Sequence, residues 1–284
     1  MRNIKLTVAY DGTDFAGWQM QPGTATIQGA LVEVARKITQ ERILVYGAGR
    51  TDSGVHEIGQ VAHFKTQSAL TPQQFQRAFN ALLPPTIRVV RCEEVGPDFH
   101  ARWQARAKTY AYRIWRGRVV PPFAYRYVLH YPFPLDEAAM AEAAGCFVGE
   151  HDFTSFAASS GSEENDRDRN PRREVLGCTV VRLAASTTEP VAASLQPECA
   201  ATIGALQSFF GLGDELVCVL RGKSFLRYMV RKIVGTLLEV GKGRLKPEDV
   251  SRLFALRDRS KSGSTLPPQG LCLVAVEYPD PWSP

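Results

Sequence analysis

The sequence predicts an α+β protein of two similar α/β halves, each with a mostly antiparallel mixed sheet and helices on one face, around a central cleft. Two kinds of apolar spacing support this class. Alternation at every second residue is typical of half-buried strands, and recurrence every three to four residues is typical of helices. Both patterns occur in each half of the 284 residues, of which 44% are apolar. A chain of this length forms one large domain or two ordinary ones.

The first half, residues 1–106, reads as strand, helix, strand, loop, strand, helix and strand. Apolar side chains at every second position indicate its first strand, from Ile4 to Tyr10. Thr26 and Thr71 are suited to cap the two helices, and a proline follows Thr71 at the first helical position. The remaining predictions are strands at 43–46, 60–64 and 87–91 and the inward helix positions Phe75, Phe79 and Leu82.

The second half, residues 107–284, is predicted to begin with a strand and to contain a first helix capped by Asp136. A longer helix at 225–240 has an apolar stripe and places Arg227 and Arg231 one turn apart. The polar segment 159–173 indicates a mobile loop, and the bland segment 185–213 indicates an insertion that a short linker could replace. Further predicted elements are strands at 107–115, 174–183, 214–222 and 270–278 and a helix that opens at Pro247.

The candidate functional stretch is 47–64, which places Asp52 in a glycine-rich turn between two predicted strands. Catalytic groups are often carried by loops that a rigid scaffold holds in place. The glycines allow sharp turns and close approach to a ligand, and Arg50 adds a fixed positive charge. Residues 51–54 alone also fit an ordinary turn. They are also similar to half of an aspartic-protease dyad, which would require a homodimer because the chain has no second copy.

Basic residues are concentrated in two runs without acidic residues, 99–135 and 216–238, although the formal net charge is only +5. The runs either converge into one positive cleft suited to a polyanion or form two separate solvated faces. In the first run, aromatic residues that include Tyr110 are interleaved with lysine and arginine. This combination suits single-stranded or looped RNA, because unstacked bases lie on rings while cations follow phosphates. The sequence therefore predicts that the central cleft binds RNA.

Nothing in the sequence indicates a metal or another cofactor. The six cysteines include no Cys-x-x-Cys pair and the five histidines are dispersed, so no spacing typical of a zinc site occurs. No apolar run has membrane-spanning length, and the start at Met1 lacks the apolar core of a signal peptide. These features predict a soluble, cytoplasmic protein that does not associate with membranes.

Motifs along nearly the whole chain resemble the tRNA pseudouridine synthases of the TruA type. They stand in the order and spacing of that family at residues 10–19, 49–56, 99–102, 108–112, 151–156 and 229–235. The resemblance implies that Asp52 is the catalytic aspartate, that Tyr110 stacks on the target uracil and that Arg231 is the partner of Asp52. It implies that Arg50 helps to extrude the base. It also implies a homodimer, uridines of the tRNA anticodon stem-loop as substrate, and no metal or cofactor.

The chemistry of that reaction agrees with these residue types. Forming pseudouridine breaks the N1 glycosidic bond, turns the base and reattaches it through C5, so no external reactant is required. A nearby arginine keeps an aspartate ionised, and a stacked ring holds the base in plane while it rotates. The sequence leaves open whether Asp52 attacks C1′ or removes a sugar proton to form a glycal. A non-catalytic RNA-binding protein of the same fold is the alternative function.

Overall fold

A computed structural model of the chain describes residues 1–157, 170–183, 196–211, 213–280 and 282. These residues form ten β-strands, paired mostly antiparallel, and six α-helices, which confirms the predicted fold class. The strands are β1 (Arg2–Tyr10), β2 (Tyr46–Gly47), β3 (His56–Thr66), β4 (Ile87–Val95), β5 (Ala107–Trp115), β6 (Leu129–His130), β7 (Gly149–Asp152), β8 (Arg172–Leu183), β9 (Glu215–Gly222) and β10 (Leu271–Glu277). The helices are α1 (Ile27–Thr39), α2 (Pro72–Leu82), α3 (Glu137–Gly145), α4 (Pro197–Phe210), α5 (Met229–Gly241) and α6 (Asp249–Leu256). No helix in the described part of the chain is long and apolar enough to cross a membrane.

The chain divides into two compact units, Met1–Lys108 with Cys272–Pro284, and Thr109–Leu271. The sequence-based division differs from this one, because it assigns the last strand to the second half. In the structure β10 pairs in parallel with β3 of the first unit, with Cys272 opposite His56. This pairing joins strands that are far apart in sequence, so a local pattern of apolar residues does not record it.

The first unit has the strand order β4-β1-β3-β10, and β2 pairs with β3. β1 runs antiparallel to β3, which places Ile4 opposite Phe64. Both side chains are fully buried in one core with Leu31 of α1 and with Phe75 and Phe79 of α2. Helix α2 also packs against β4. The segment that carries the candidate aspartate leads directly into β3, so it is attached to a packed sheet.

The second unit has the strand order β5-β9-β8-β7, with β6 parallel to β5. Helix α5 is buried along most of its length and packs against α3, which in turn packs against β8. A buried ion pair links β5 to β9. The guanidinium of Arg113 donates two hydrogen bonds, of 2.8 and 2.7 Å, to the two carboxylate oxygens of Glu215. The two parallel bonds fix the geometry of the ion pair and offset the free-energy cost of removing both charges from water.

The N-caps that the sequence predicts for three helices are confirmed. The side chains of Thr26 and Asp136 each accept a hydrogen bond from the amide three residues later, at 3.2 and 2.9 Å. Thr71 forms a complete capping box with Gln74. These side chains satisfy amides of the first turn, which have no partner inside the helix. Caps depend on neighbouring residues, and for this reason they can be predicted from sequence.

Helix α5 begins later than the sequence predicts. The expected helix is 225–240, but the observed helix begins at Met229 because Tyr228 has a left-handed backbone, with φ of 63°. A residue in this conformation cannot continue a right-handed helix. Arg227 therefore precedes the helix instead of lying one turn before Arg231 on the same helix.

Two smaller predictions in the first unit are also wrong. Leu82 is the last residue of α2 and is 53% exposed, so only Phe75 and Phe79 of the three expected positions face the core. The predicted strand 43–46 is reduced to the short β2, although Ile43 and Val45 are buried. These residues have the composition of a strand, and their side chains are packed without strand pairing before residue 46.

Helix α4 lies within the segment that the sequence presents as a bland insertion. Residues 184–195 and 212 lie outside the described residues, as do residues 158–169 of the predicted mobile loop. Pro197 occupies the first turn of α4, which suits a residue without an amide hydrogen. The inward positions follow helical spacing and are buried, namely Cys199, Thr202, Ile203 and Leu206. The structure thus differs from the sequence interpretation, because residues 197–210 contribute a packed face.

This packing predicts that α4 stabilises the protein. Leu206 is fully buried, so Leu206→Ala should lower the free energy of unfolding by about 2 to 5 kcal/mol. Gly204→Ala in the same helix is the matched control, because a methyl group there meets nothing within 4 Å and should raise stability by about 0.5 to 1 kcal/mol. Urea unfolding followed by circular dichroism measures both. An unchanged midpoint for Leu206→Ala would mean that α4 is not part of a core.

Candidate active site

The loop that carries Asp52 is in close contact with the turn that follows β1. A Cβ atom on Gly12 would lie 2.0 Å from the carbonyl oxygen of Val55. Gly17 has φ of 89°, and a Cβ there would lie 2.5 Å from the carbonyl oxygen of Thr51. Both distances are far shorter than real Cβ contacts, so the two backbones can approach only because these residues are glycines.

Hydrogen bonds hold the same loop at several points. The amide of Trp18 donates to the carbonyl of Thr51 at 3.2 Å, and the hydroxyls of Tyr10 and Thr51 are 2.6 Å apart. The hydroxyl of Ser53 donates to the carbonyl of Phe15 at 3.0 Å. The loop is therefore fixed on both sides of Asp52, whose side chain is half-buried. A carboxylate held in this way is pre-organised for chemistry.

Lys108 contacts the start of the loop that carries Asp52. Its Nζ donates to the carbonyl of Ala48 at 2.8 Å, and a Cβ on Gly49 would lie 2.9 Å from the same Nζ. Burial lowers the pKa of Lys108 to about 8, against the opposing effect of Glu57. The loop glycine is thus needed to make room for a lysine ammonium that is largely removed from water.

Glu57, the second residue of β3, is a fully buried carboxyl group behind the loop. Burial raises its pKa to about 8, against the opposing effects of Tyr10, Thr51, Lys108 and Gln60. These groups surround the carboxyl, but neither oxygen forms a hydrogen bond of good geometry with a described residue. A carboxyl group in such surroundings is mostly protonated at neutral pH. The sequence interpretation missed both Glu57 and Lys108 as supports of the loop.

Tyr110 lies on β5 in the second unit and is 8% exposed. Its ring meets Phe225 edge to face, with ring centres 5.2 Å apart and planes at 82°. Such a contact restricts the orientation of the ring. Tyr110 is therefore a positioned aromatic side chain on a strand, as its place in the sequence pattern predicts.

Arg231 lies in the first turn of α5, in the second unit. Its Nε donates to the carbonyl of Leu266 at 2.6 Å, and its guanidinium carbon lies 4.9 Å from the centre of the Tyr228 ring. Burial raises the pKa of Tyr112 well above its usual range, and the nearby charge of Arg231 opposes that rise. The side chain of Arg231 is thus held by a carbonyl and a ring.

The predicted site residues are distributed over both units. Asp52 and Arg50 belong to the first, and Arg50 is exposed while Asp52 is half-buried. Tyr110 and Arg231 belong to the second. Among the residues that the structure describes, no group of three His, Cys, Asp or Glu side chains could hold a metal ion.

The fold and this loop define a class of protein, namely a mixed α and β protein whose candidate active site is built around a fixed carboxylate. The profile of a family described as tRNA pseudouridine synthase matches residues 6–104 and 143–279. The chain therefore belongs to the tRNA pseudouridine synthase family.

Individual relatives extend over nearly the whole chain. A protein named tRNA pseudouridine synthase A from Solibacter usitatus is 44% identical over 278 residues, covering 98% of this chain and 100% of that protein. Proteins with the same name from Latilactobacillus sakei and Caldicellulosiruptor saccharolyticus are 40% and 39% identical, each over 98% of this chain and over 99% and 100% of the relative. The solved structure titled "Crystal Structure of a Cbf5-Nop10-Gar1 Complex" is far more distant, with a TM-score of 0.34 and 11% identity over 95% of this chain and 58% of that one.

The raised pKa of Glu57 makes a prediction about pH. Its pKa in the folded protein, about 8, lies above the ordinary value of 4.5, so its contribution to stability is complete below 4.5 and is lost as pH rises towards 8. Glu57→Gln keeps the shape and removes the titration. The stability of the wild type relative to this variant should therefore fall by up to about 1.4 kcal/mol per pH unit across that window. Urea unfolding of both proteins at several pH values between 5 and 8 tests this, and a constant difference would contradict the raised pKa.

Proposed function

We propose that this protein converts uridine to pseudouridine in tRNA, with Asp52 as the catalytic carboxylate. The observation that carries the proposal is the fixed, half-buried position of Asp52 on the glycine loop. Membership of the tRNA pseudouridine synthase family and relatives named tRNA pseudouridine synthase A support the reaction and the substrate. The resemblance of the motifs further supports uridines of the anticodon stem-loop as the target.

The reaction exchanges one bond of the nucleotide for another. The N1–C1′ bond breaks, the uracil turns, and a C5–C1′ bond forms, after which C5 loses its proton and N1 gains one. Asp52 takes part in the first step either by attacking C1′ or by removing a sugar proton, and both routes require it to be ionised. Because the atoms of the product are those of the substrate, the reaction requires no external reactant and no redox cofactor.

The other site residues have distinct roles in this proposal. Tyr110 supplies a ring that stacks on the uracil and allows it to rotate in its plane, which suits a side chain restrained by Phe225. Arg231 is the charge partner that favours ionised Asp52. Arg50, which is exposed, helps to extrude the base from the RNA. The homodimer and the cytoplasmic location remain predictions from the sequence.

Asp52→Asn tests the catalytic role. The substitution preserves volume, but an amide can neither attack C1′ nor accept a sugar proton, so pseudouridine formation should fall to background. Affinity for the anticodon arm should stay within a few-fold, because many phosphate contacts share the binding. Tritium release from C5-labelled uridine in tRNA measures the reaction, and a titration at fixed salt measures affinity.

The outcomes of that experiment separate an enzyme from an RNA-binding protein. Undiminished release by the variant would exclude Asp52 as the catalytic group. If the wild type releases no tritium from any tRNA, and the variant binds slightly more tightly, the protein is a binder in which Asp52 repels phosphate.

Tyr110→Phe separates the ring from the hydroxyl. The ring and its contact with Phe225 are kept, so tRNA affinity should be unchanged. If the hydroxyl assists removal of the C5 proton, product formation should fall by about 100-fold or more. Single-turnover assays at saturating tRNA make this measurement, and wild-type turnover would leave stacking as the sole role of Tyr110.

A further inference from the structure

The side chain of Trp103 is 80% exposed, whereas tryptophan is highly buried on average. One face of the ring lies on the imidazole of His100, with ring centres 3.9 Å apart and planes at 11°. Because so much of the side chain is accessible while one face is covered, the opposite face is open to solvent. Trp103 thus presents a flat apolar surface of about the size of a nucleobase.

The turn beneath this ring is rigidly built. His100 Nδ1 accepts hydrogen bonds from the amides of Arg102 and Trp103, at 3.2 and 3.4 Å. The amide of His100 donates to the side chain of Gln104 at 2.6 Å, and the hydroxyl of Tyr278 donates to the carbonyl of Ala101 at 2.6 Å. The indole is therefore supported by an imidazole that the same turn holds in place. A surface fixed in advance loses little conformational entropy when a ligand stacks on it.

Further rings extend this surface towards the Asp52 loop. Tyr46, which is 45% exposed, stacks on His63 with ring centres 5.3 Å apart, and His63 meets His100 edge to face at 4.7 Å. We name Tyr46, His63, His100 and Trp103 the aromatic array. Tyr46 belongs to β2, which leads directly into the loop that carries Asp52. Both structures lie in the first unit.

The pKa values of both histidines in the aromatic array are lowered. Burial lowers the pKa of His63 to about 4, and His100 and Lys65 act in the same direction. Burial also lowers the pKa of His100, and the charges of Arg102 and Lys65 act in the same direction. The two imidazoles are therefore neutral, while Lys65 lies near enough to affect both of them and Arg102 lies near enough to affect His100.

These cations are available to a ligand. Lys65 and Arg102 are exposed, and neither forms an ion pair with any residue in the described ranges. Neutral rings beside cations complement a nucleotide, whose base stacks while its phosphate is neutralised. An apolar protein partner would leave the two charges without a counterpart, so the chemistry favours RNA.

We propose that the aromatic array is a second RNA-binding site, at which an unpaired base stacks on Trp103 and a neighbouring phosphate lies near Lys65 and Arg102. This base is distinct from the uridine that reacts. Because β2 connects the array to the Asp52 loop, the contact sets the position of the RNA relative to the loop. The proposal rests on the proposed function only for the identity of the RNA as tRNA.

Trp103→Ala tests the proposal in the full-length protein. Loss of one stacked base should weaken tRNA binding by about tenfold, whereas Trp103→Phe, which keeps a ring, should stay within about threefold of the wild type. The same loss should appear with a single-stranded oligoribonucleotide and should be absent with a fully paired RNA duplex of equal length. Fluorescence anisotropy at fixed salt measures all three ligands. The KM for tRNA should rise, with the single-turnover rate at saturating tRNA unchanged.

The control is Phe209→Ala, which removes an aromatic side chain that is 51% exposed and lies outside both basic runs, and which should leave binding unchanged. Unaltered tRNA affinity of Trp103→Ala would overturn the proposal, as would an equal loss for the duplex. A difference in molecular mass between Trp103→Ala and the wild type, measured by light scattering, would also overturn the proposal, because the aromatic array would then be a contact between copies of the chain. If the wild type makes no pseudouridine but binding to single-stranded RNA depends on Trp103, the proposed function fails and the second site stands.

Discussion

The Asp52 loop depends on a half-buried lysine and a fully buried carboxyl group that lie close to it. Lys108 donates to the carbonyl of Ala48, and Glu57 lies fully buried nearby. Removing either group from water is costly, and the shifts of both pKa values to about 8 reflect that cost. Burial favours the neutral form of each group, which avoids a buried carboxylate, and the lysine nitrogen can donate to the loop in either protonation state. The close backbone contacts at Gly12 and Gly17 also restrict the position of the Asp52 loop.

Much of the fold could be predicted because its signals are local. The caps of α1, α2 and α3 depend on one side chain and an amide three residues away, and apolar residues occur at every second position of β1 from Ile4 to Tyr10. The start of α5 could not be predicted, because the spacing of apolar residues does not indicate that Tyr228 has a left-handed backbone. Helix α4 could not be predicted because of its amino-acid composition. Its inward positions have helical spacing, but they include a cysteine and a threonine, whose apolar character is weak.

The candidate site also includes residues that the sequence indicates and residues that it does not. Asp52 and its glycines form a short contiguous motif, so the sequence indicates the loop directly. The roles of Tyr110 and Arg231 came from the resemblance, and the structure places these residues on a strand and on a helix. Glu57 was missed because a carboxyl group in a strand ordinarily faces water. Its burial depends on Tyr10 and Lys108, which lie far from it in sequence, and its position directly after His56 in the loop motif was the available signal.

The place of β10 has a consequence for synthesis of the protein on the ribosome. The second unit is one continuous stretch, Thr109–Leu271, whereas the first requires β10 to pair with β3. The chain emerges from its N-terminus, so the sheet that supports Asp52 is translated early but remains with an unpaired edge until residues 272–277 have been made. Contacts between such distant segments close slowly, and unpaired strand edges are prone to aggregate. The unit that carries the candidate catalytic carboxylate is therefore begun first and completed last.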